Sequence, residues 1–130
     1  MKIAYVPQGR HDWCWAAVLE MLWSYYGKYR CQAEWAFSLY SPETLDQGLD
    51  QIGFNNILLQ NSPDPVISHE YYHLASIPSI NQIDLELSSG RPIMAMYNEN
   101  DKTAHCVLIV GLSDIGDELI ILDPARGRLT

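Results

Sequence analysis

The chain reads as an α+β domain, with a helical part over about 1–90 and an antiparallel sheet over about 91–130. Three observations predict this. Apolar residues recur at helical spacing early on, as Ala17, Val18, Met21, Leu22 and Tyr25 do. The last third instead holds short Val-, Ile- and Leu-rich runs parted by polar turns. Helices precede strands rather than alternating with them, which speaks against a parallel sheet.

The first helix is expected from Trp13 to Tyr26, with Asp12 as N-cap and Gly27 as stop. Ala16 and Ala17 are small, so another element should pack closely there. A second helix fits Gln32 to Leu39. A third begins after Ser41-Pro42, with Glu43 in its first turn and Gly53 past its end. Asn55 to Pro65 holds two prolines and reads as a loop. Ile80 to Ser89 reads as a further helix, with Ile83 and Leu87 four apart and Gly90 as the stop. Strands are expected at Pro92–Tyr97, Ala104–Gly111 and Leu119–Leu122, joined by turns at Asn98–Lys102 and Ser113–Asp117.

With 130 residues, 48% hydrophobic and 18% charged, the chain has globular composition and enough length for one core. Eight basic against sixteen acidic residues give a net charge of −8, which argues against nucleic acid and anionic membranes as partners. No apolar run approaches the roughly 20 residues of a membrane span. The N-terminus holds no signal-peptide pattern, so a cytosolic location is the default expectation. Three cysteines make an odd, low count for a disulfide scaffold, and free thiols are expected.

One constellation carries chemistry. Cys14 falls in the first turn of a helix, where the partial positive charge favours a thiolate. His105 starts the second strand, and alternation sends Cys106 to the opposite face. Asp123 ends the third strand. A hairpin about the Ser113–Asp117 turn brings the outer strand ends together and sets Asp123 near His105. Thiol, imidazole and carboxylate then form a nucleophile, base and orienter. The oxyanion of acyl transfer needs donors, for which the Cys14 N–H and the Gln8 side-chain amide are candidates.

Gln8, the run Trp13-Cys14-Trp15-Ala16-Ala17, Ala104-His105 and the run Leu122-Asp123-Pro124-Ala125-Arg126-Gly127 resemble the papain-like cysteine peptidases. The likeness is greatest to compact bacterial members, namely staphopain-type proteases and the effector peptidases of plant-pathogenic bacteria. Tyr25-Tyr26-Gly27 and Asp123-Pro124 also resemble the leader peptidase domains of bacteriocin exporters. The resemblance implies a helical lobe with Cys14, a sheet lobe with His105 and Asp123, and Gln8 in the oxyanion hole. It implies a protein or peptide substrate and no cofactor or metal. It also leaves room for a secreted effector or a domain of a larger protein. Larger members carry Asn where this chain has Asp123, and they commonly continue the sheet beyond the point reached at Thr130.

Other readings compete. The triad also suits acyl transferases and deamidases, and the fold also suits a non-catalytic peptide-binding domain. His69-Glu70-Tyr71-Tyr72-His73 spells a zinc-peptidase signature, but nearby prolines confine any helix there to about two turns. A third zinc ligand would be needed, with Glu86 the candidate. His11 is at best a weak metal partner. Trp13 and Trp15 are candidates to line a substrate cleft, with packing the expected role of at least one. Tyr25, Tyr26 and Tyr29 read as core and interlobe aromatics, and Cys31 and Cys106 as structural. Oligomeric state leaves no mark in the sequence.

Overall fold

A computed structural model describes residues 1–39, 78–98 and 104–129. The expected third helix, the Asn55–Pro65 loop, the turn after Asn98 and the His69–His73 stretch lie outside the described residues. Three helices and a four-stranded sheet make up the described part: α1 (Cys14–Tyr25), α2 (Gln32–Leu39), α3 (Ile80–Ser88), β1 (Ile93–Asn98), β2 (Ala104–Leu112), β3 (Leu119–Asp123) and β4 (Gly127–Leu129). The strands lie side by side in the order β1-β2-β3-β4, and every neighbouring pair is antiparallel. The α+β expectation is thus met.

α1 is the hub. Trp15, Ala16, Ala17, Val18, Leu19 and Met21 have no exposed surface. A helix apolar almost all round in this way belongs inside a domain, not on its surface. One face meets β2 through Cys106, Leu108 and Val110, which share a core cluster with α1. Another meets α2. There Trp23 and Trp35 stand edge to face with ring centroids 4.9 Å apart, and the Arg30 guanidinium lies 4.2 Å from the Trp35 ring centre. The close packing expected at Ala16 and Ala17 is present.

The helix starts differently from expectation. Trp13 is the N-cap, and no side chain caps the end. Asp12 instead has its carboxylate on His11 Nδ1, at 3.1 Å. At the other end, Tyr25 donates its hydroxyl to the Gly90 carbonyl at 2.6 Å, which ties α1 to the stop after α3. α3 begins with a reciprocal capping box between Ser79 and Gln82 and ends before Gly90, whose φ of +79° suits glycine.

β2 and β3 form the hairpin that the sequence anticipates. Leu108 pairs with Leu122, and a bulge between Ile109 and Gly111 shifts the register towards the turn. Ser113 closes that turn: its Oγ accepts from the Glu118 N–H and its own N–H bonds to the Glu118 carbonyl. β4 was not anticipated. It forms because Arg126 N–H returns to the Asp123 carbonyl and Gly127 takes a φ of +98°, so the chain doubles back at once.

The core places a simple demand on α1. Leu19→Ala should lower unfolding stability by about 2–5 kcal/mol, read from the urea midpoint. An unchanged midpoint would mean that α1 is not the packed centre.

Candidate active site

Cys14 is the first residue of α1 and is 9% exposed. The neighbouring main chain of Cys106 and Trp15 favours the thiolate. Cys106 directly follows His105, so the thiol lies against the strand that carries the histidine. The ease of ionisation expected from the helix N-terminus is outweighed. Burial pushes the Cys14 thiol up, and the carboxylates of Asp12 and Asp123 push the same way more weakly.

His105 supplies an imidazole in reach of that strand end. Its Nε2 stands 2.7 Å from Asp123 Oδ1, and both side chains are buried. The sheet register accounts for the pair. Because Leu108 pairs with Leu122, one step further sets Asp123 across from Val107, and His105 is its diagonal neighbour on the same face. With Nε2 engaged by the carboxylate, Nδ1 is the nitrogen left to take a proton. Tyr97, which pairs with His105 across β1 and β2, sets its ring edge against the imidazole at 5.8 Å between centroids.

Asp123 has no exposed surface. Its Oδ1 also accepts the Ala125 N–H at 2.8 Å, so one oxygen closes the β3–β4 turn and orients the histidine. Turn chemistry and histidine orientation are here a single arrangement. The other oxygen, Oδ2, is buried without a hydrogen bond, with the half-exposed Arg126 guanidinium 3.8 Å away.

Gln8 lies on the N-terminal strap, whose backbone crosses the site. Its N–H bonds to the Pro124 carbonyl at 3.0 Å, and the Tyr5 hydroxyl bonds to the Asp123 carbonyl at 2.9 Å. The strap thus brings Gln8 beside the Asp123 turn. Its side-chain Nε2 donates to the carbonyls of Arg10 at 3.1 Å and His11 at 2.6 Å, and Oε1 is buried without a partner. In this arrangement the amide nitrogen braces the turn that leads into Cys14.

Trp15 has no exposed surface and packs in the core, so it lines no cleft here. Trp13 is 5% exposed, with the Arg10 guanidinium 5.4 Å from its ring centre. Both indoles are buried, which meets the expectation that at least one of them packs. Cys106 is buried in the core, and Cys14, Cys31 and Cys106 are all free thiols. Tyr25 is partly buried and ties α1 to the end of α3, whereas Tyr29 is 69% exposed and is no core aromatic.

The residues of the zinc-like signature, His69, Glu70 and His73, lie outside the described residues. Glu86, its candidate third ligand, is gripped by Arg91 through two bonds of 2.7 and 3.2 Å. His11 is exposed and pairs with Asp12. Among the described residues no group of three His, Cys, Asp or Glu side chains is set to hold a metal. Nor is any helix among them long and apolar enough to cross a membrane.

Sequence reasoning missed Tyr5, Tyr97, Glu20 and Gln32. Tyr97 was findable from the register of two strands once β1 and β2 were paired. Tyr5, Glu20 and Gln32 act through bonds to elements remote in sequence, which no local pattern signals.

Comparison with curated proteins gave no match, and comparison with solved structures gave none either. The family model described as Peptidase_C39 like family matches residues 1–129. That span takes in the α1 thiol, the buried histidine–aspartate pair and the Gln8 strap, set in an α+β frame with the helices ahead of the sheet. The chain belongs to the Peptidase_C39 like family, and its fold is of the papain-like cysteine peptidase kind.

Proposed function

We propose that this chain is a thiol-dependent peptidase that cleaves peptide bonds through an acyl-enzyme thioester. One observation carries the reading. His105 and Asp123 form a buried pair at 2.7 Å, and Cys106, the residue next to that histidine, shares the core cluster with Cys14. The family match supports it.

In this reading His105 Nδ1 takes the proton of Cys14 as the sulfur attacks the substrate carbonyl. A base assists because burial disfavours the thiolate. Asp123 holds the Nε2–H and so orients the ring. The oxyanion is met by the Cys14 N–H and by Gln8 Nε2, which releases one of its two carbonyls. The Arg10 bond, at 3.1 Å, is the longer and the one to yield. The imidazolium then protonates the leaving amine. His105 next takes a proton from water, which attacks the thioester and frees the acid and the thiol. A protein or peptide is the substrate class that this chemistry implies.

Cys14→Ala should abolish peptide hydrolysis, measured by mass analysis of casein fragments, while the thermal midpoint stays near the parent's. Persistent cleavage in that variant would sink the reading, and cleavage products carrying an added amine would redirect it to acyl transfer.

Asp123→Ala should lower kcat by about 10²–10⁴-fold. Asp123→Asn should retain most activity, because Oδ1 still accepts from His105 and Ala125 and the replaced Oδ2 makes no hydrogen bond. Equal losses in the two variants would show that charge, rather than orientation, is what Asp123 supplies.

The raised Cys14 thiol sets a pH signature. A raised value means that the thiolate appears only as pH climbs past the ordinary cysteine range, about 8.5. In His105→Ala, iodoacetamide labelling of Cys14 should therefore have its midpoint above that range, and restoring His105 should speed labelling at neutral pH. A midpoint below that of an exposed cysteine would mean that the helix N-terminus outweighs burial.

A further inference from the structure

The N-terminal strap is gripped from both sides of the site. On the sheet side the Gln8 N–H bonds to the Pro124 carbonyl at 3.0 Å. On the helix side the grip is a side chain, Gln32, at the first turn of α2. Its Oε1 accepts the Gly9 N–H at 2.8 Å, and its Nε2 donates to the Pro7 carbonyl at 3.0 Å. One amide thus meets the backbone immediately before and immediately after Gln8, as a neighbouring strand would. Gly9 fits between Gln32 and Trp13: a Cβ placed there would lie 3.5 Å from Gln32 Oε1 and 3.8 Å from the Trp13 ring.

Gln32 is itself anchored. Glu20, on α1 and 8% exposed, accepts the Gln32 N–H through Oε1 at 2.7 Å. A buried carboxylate on the helix that begins with Cys14 thereby fixes the residue that clamps the strap. The chain of bonds runs from α1 to Gln32, from Gln32 to Pro7 and Gly9, and from Gln8 Nε2 to the carbonyls of Arg10 and His11. It returns to α1 where the Trp13 N–H meets the Arg10 carbonyl at 3.2 Å, one residue before the nucleophile.

We propose that Gln32 is a positioning residue for acyl transfer: by clamping Pro7 and Gly9 it fixes Gln8 and the turn entering Cys14, and Glu20 fixes Gln32. The inference rests on the function proposed above. Gln32 touches no reacting atom and acts through Gln8. Its loss lets the amide donor drift, and a displacement of the order of 1 Å in such a group costs up to about 100-fold in rate. A direct loss of an oxyanion donor costs about 10²–10³-fold.

The test separates a step that needs an oxyanion donor from one that does not. Acylation of Cys14 by p-nitrophenyl acetate forms a thioester and releases p-nitrophenolate through a tetrahedral oxyanion. Alkylation by iodoacetamide forms a carbon–sulfur bond and releases iodide, with no oxyanion. Both rates are read at one pH on the full chain, with the thermal midpoint alongside. Gln32→Met, which removes both bonds at similar volume, should slow acylation by about tenfold and alkylation by less than about twofold. Gln32→Glu keeps an acceptor for the Gly9 N–H and should fall between Met and the parent. Gln8→Ala should slow acylation by about 100-fold, and adding Gln32→Met to it should cost little more.

The inference is overturned if Gln32→Met keeps the parent's ratio of acylation to alkylation. It is also overturned if both rates fall together with the thermal midpoint, which marks a merely structural role. Full additivity of the two substitutions overturns it as well. If Cys14 of the parent does not acylate at all, the proposed function falls and takes this inference with it. Normal acylation in the parent with an unmoved ratio in the variants sinks the inference alone.

Discussion

The site is organised around a carboxylate held away from water. Asp123 has no exposed surface, and a buried charge is costly by several kcal/mol unless it is paired and hydrogen-bonded. Here the pairing is concentrated on one oxygen, which takes both the His105 ring and the Ala125 N–H. The Arg126 guanidinium at 3.8 Å is largely exposed and screened, so it adds little. The β3–β4 turn and the orientation of the histidine are consequently one structure, and neither can shift alone. The hairpin register is what sets the two residues diagonally on one face.

Against this fixed side stands the Cys14 thiol, at the tip of the buried helix α1. α1 is central because its apolar residues leave almost no polar face, and that centrality has a chemical consequence. A helix N-terminus favours a thiolate, yet the same burial that stabilises α1 removes the water an anion needs. Desolvation is the larger effect, and the Cys14 thiol is pushed up.

The N-terminal strap joins the two halves. Tyr5 and Gln8 fasten it to the backbone of Asp123 and Pro124, and Gln32 fastens it to α2. Its residues reach both the main chain at Asp123 and Pro124 and the turn before the thiol, so a short segment with little core of its own spans the two sides.

Much of this protein was legible in the residues themselves. Helix spacing from Ala17 to Tyr25, the boundaries of α2, the Gly90 stop and the three longer strands follow from local periodicity and local backbone preference, which the structure keeps. The candidate residues Cys14, His105 and Asp123 were singled out by type and order, since hairpin pairing brings strand ends together whatever the loops do. Tertiary structure decided the rest. It made Trp13 rather than Asp12 the helix cap, buried Trp15, added β4, and raised the Cys14 thiol that position alone had favoured as an anion. It also recruited Tyr5, Glu20 and Gln32 through bonds between elements far apart in the chain. The physical reason is common to all of these. Local sequence fixes which conformation a segment prefers and which face is apolar, whereas burial, solvation and long-range hydrogen bonds exist only once the segments have met.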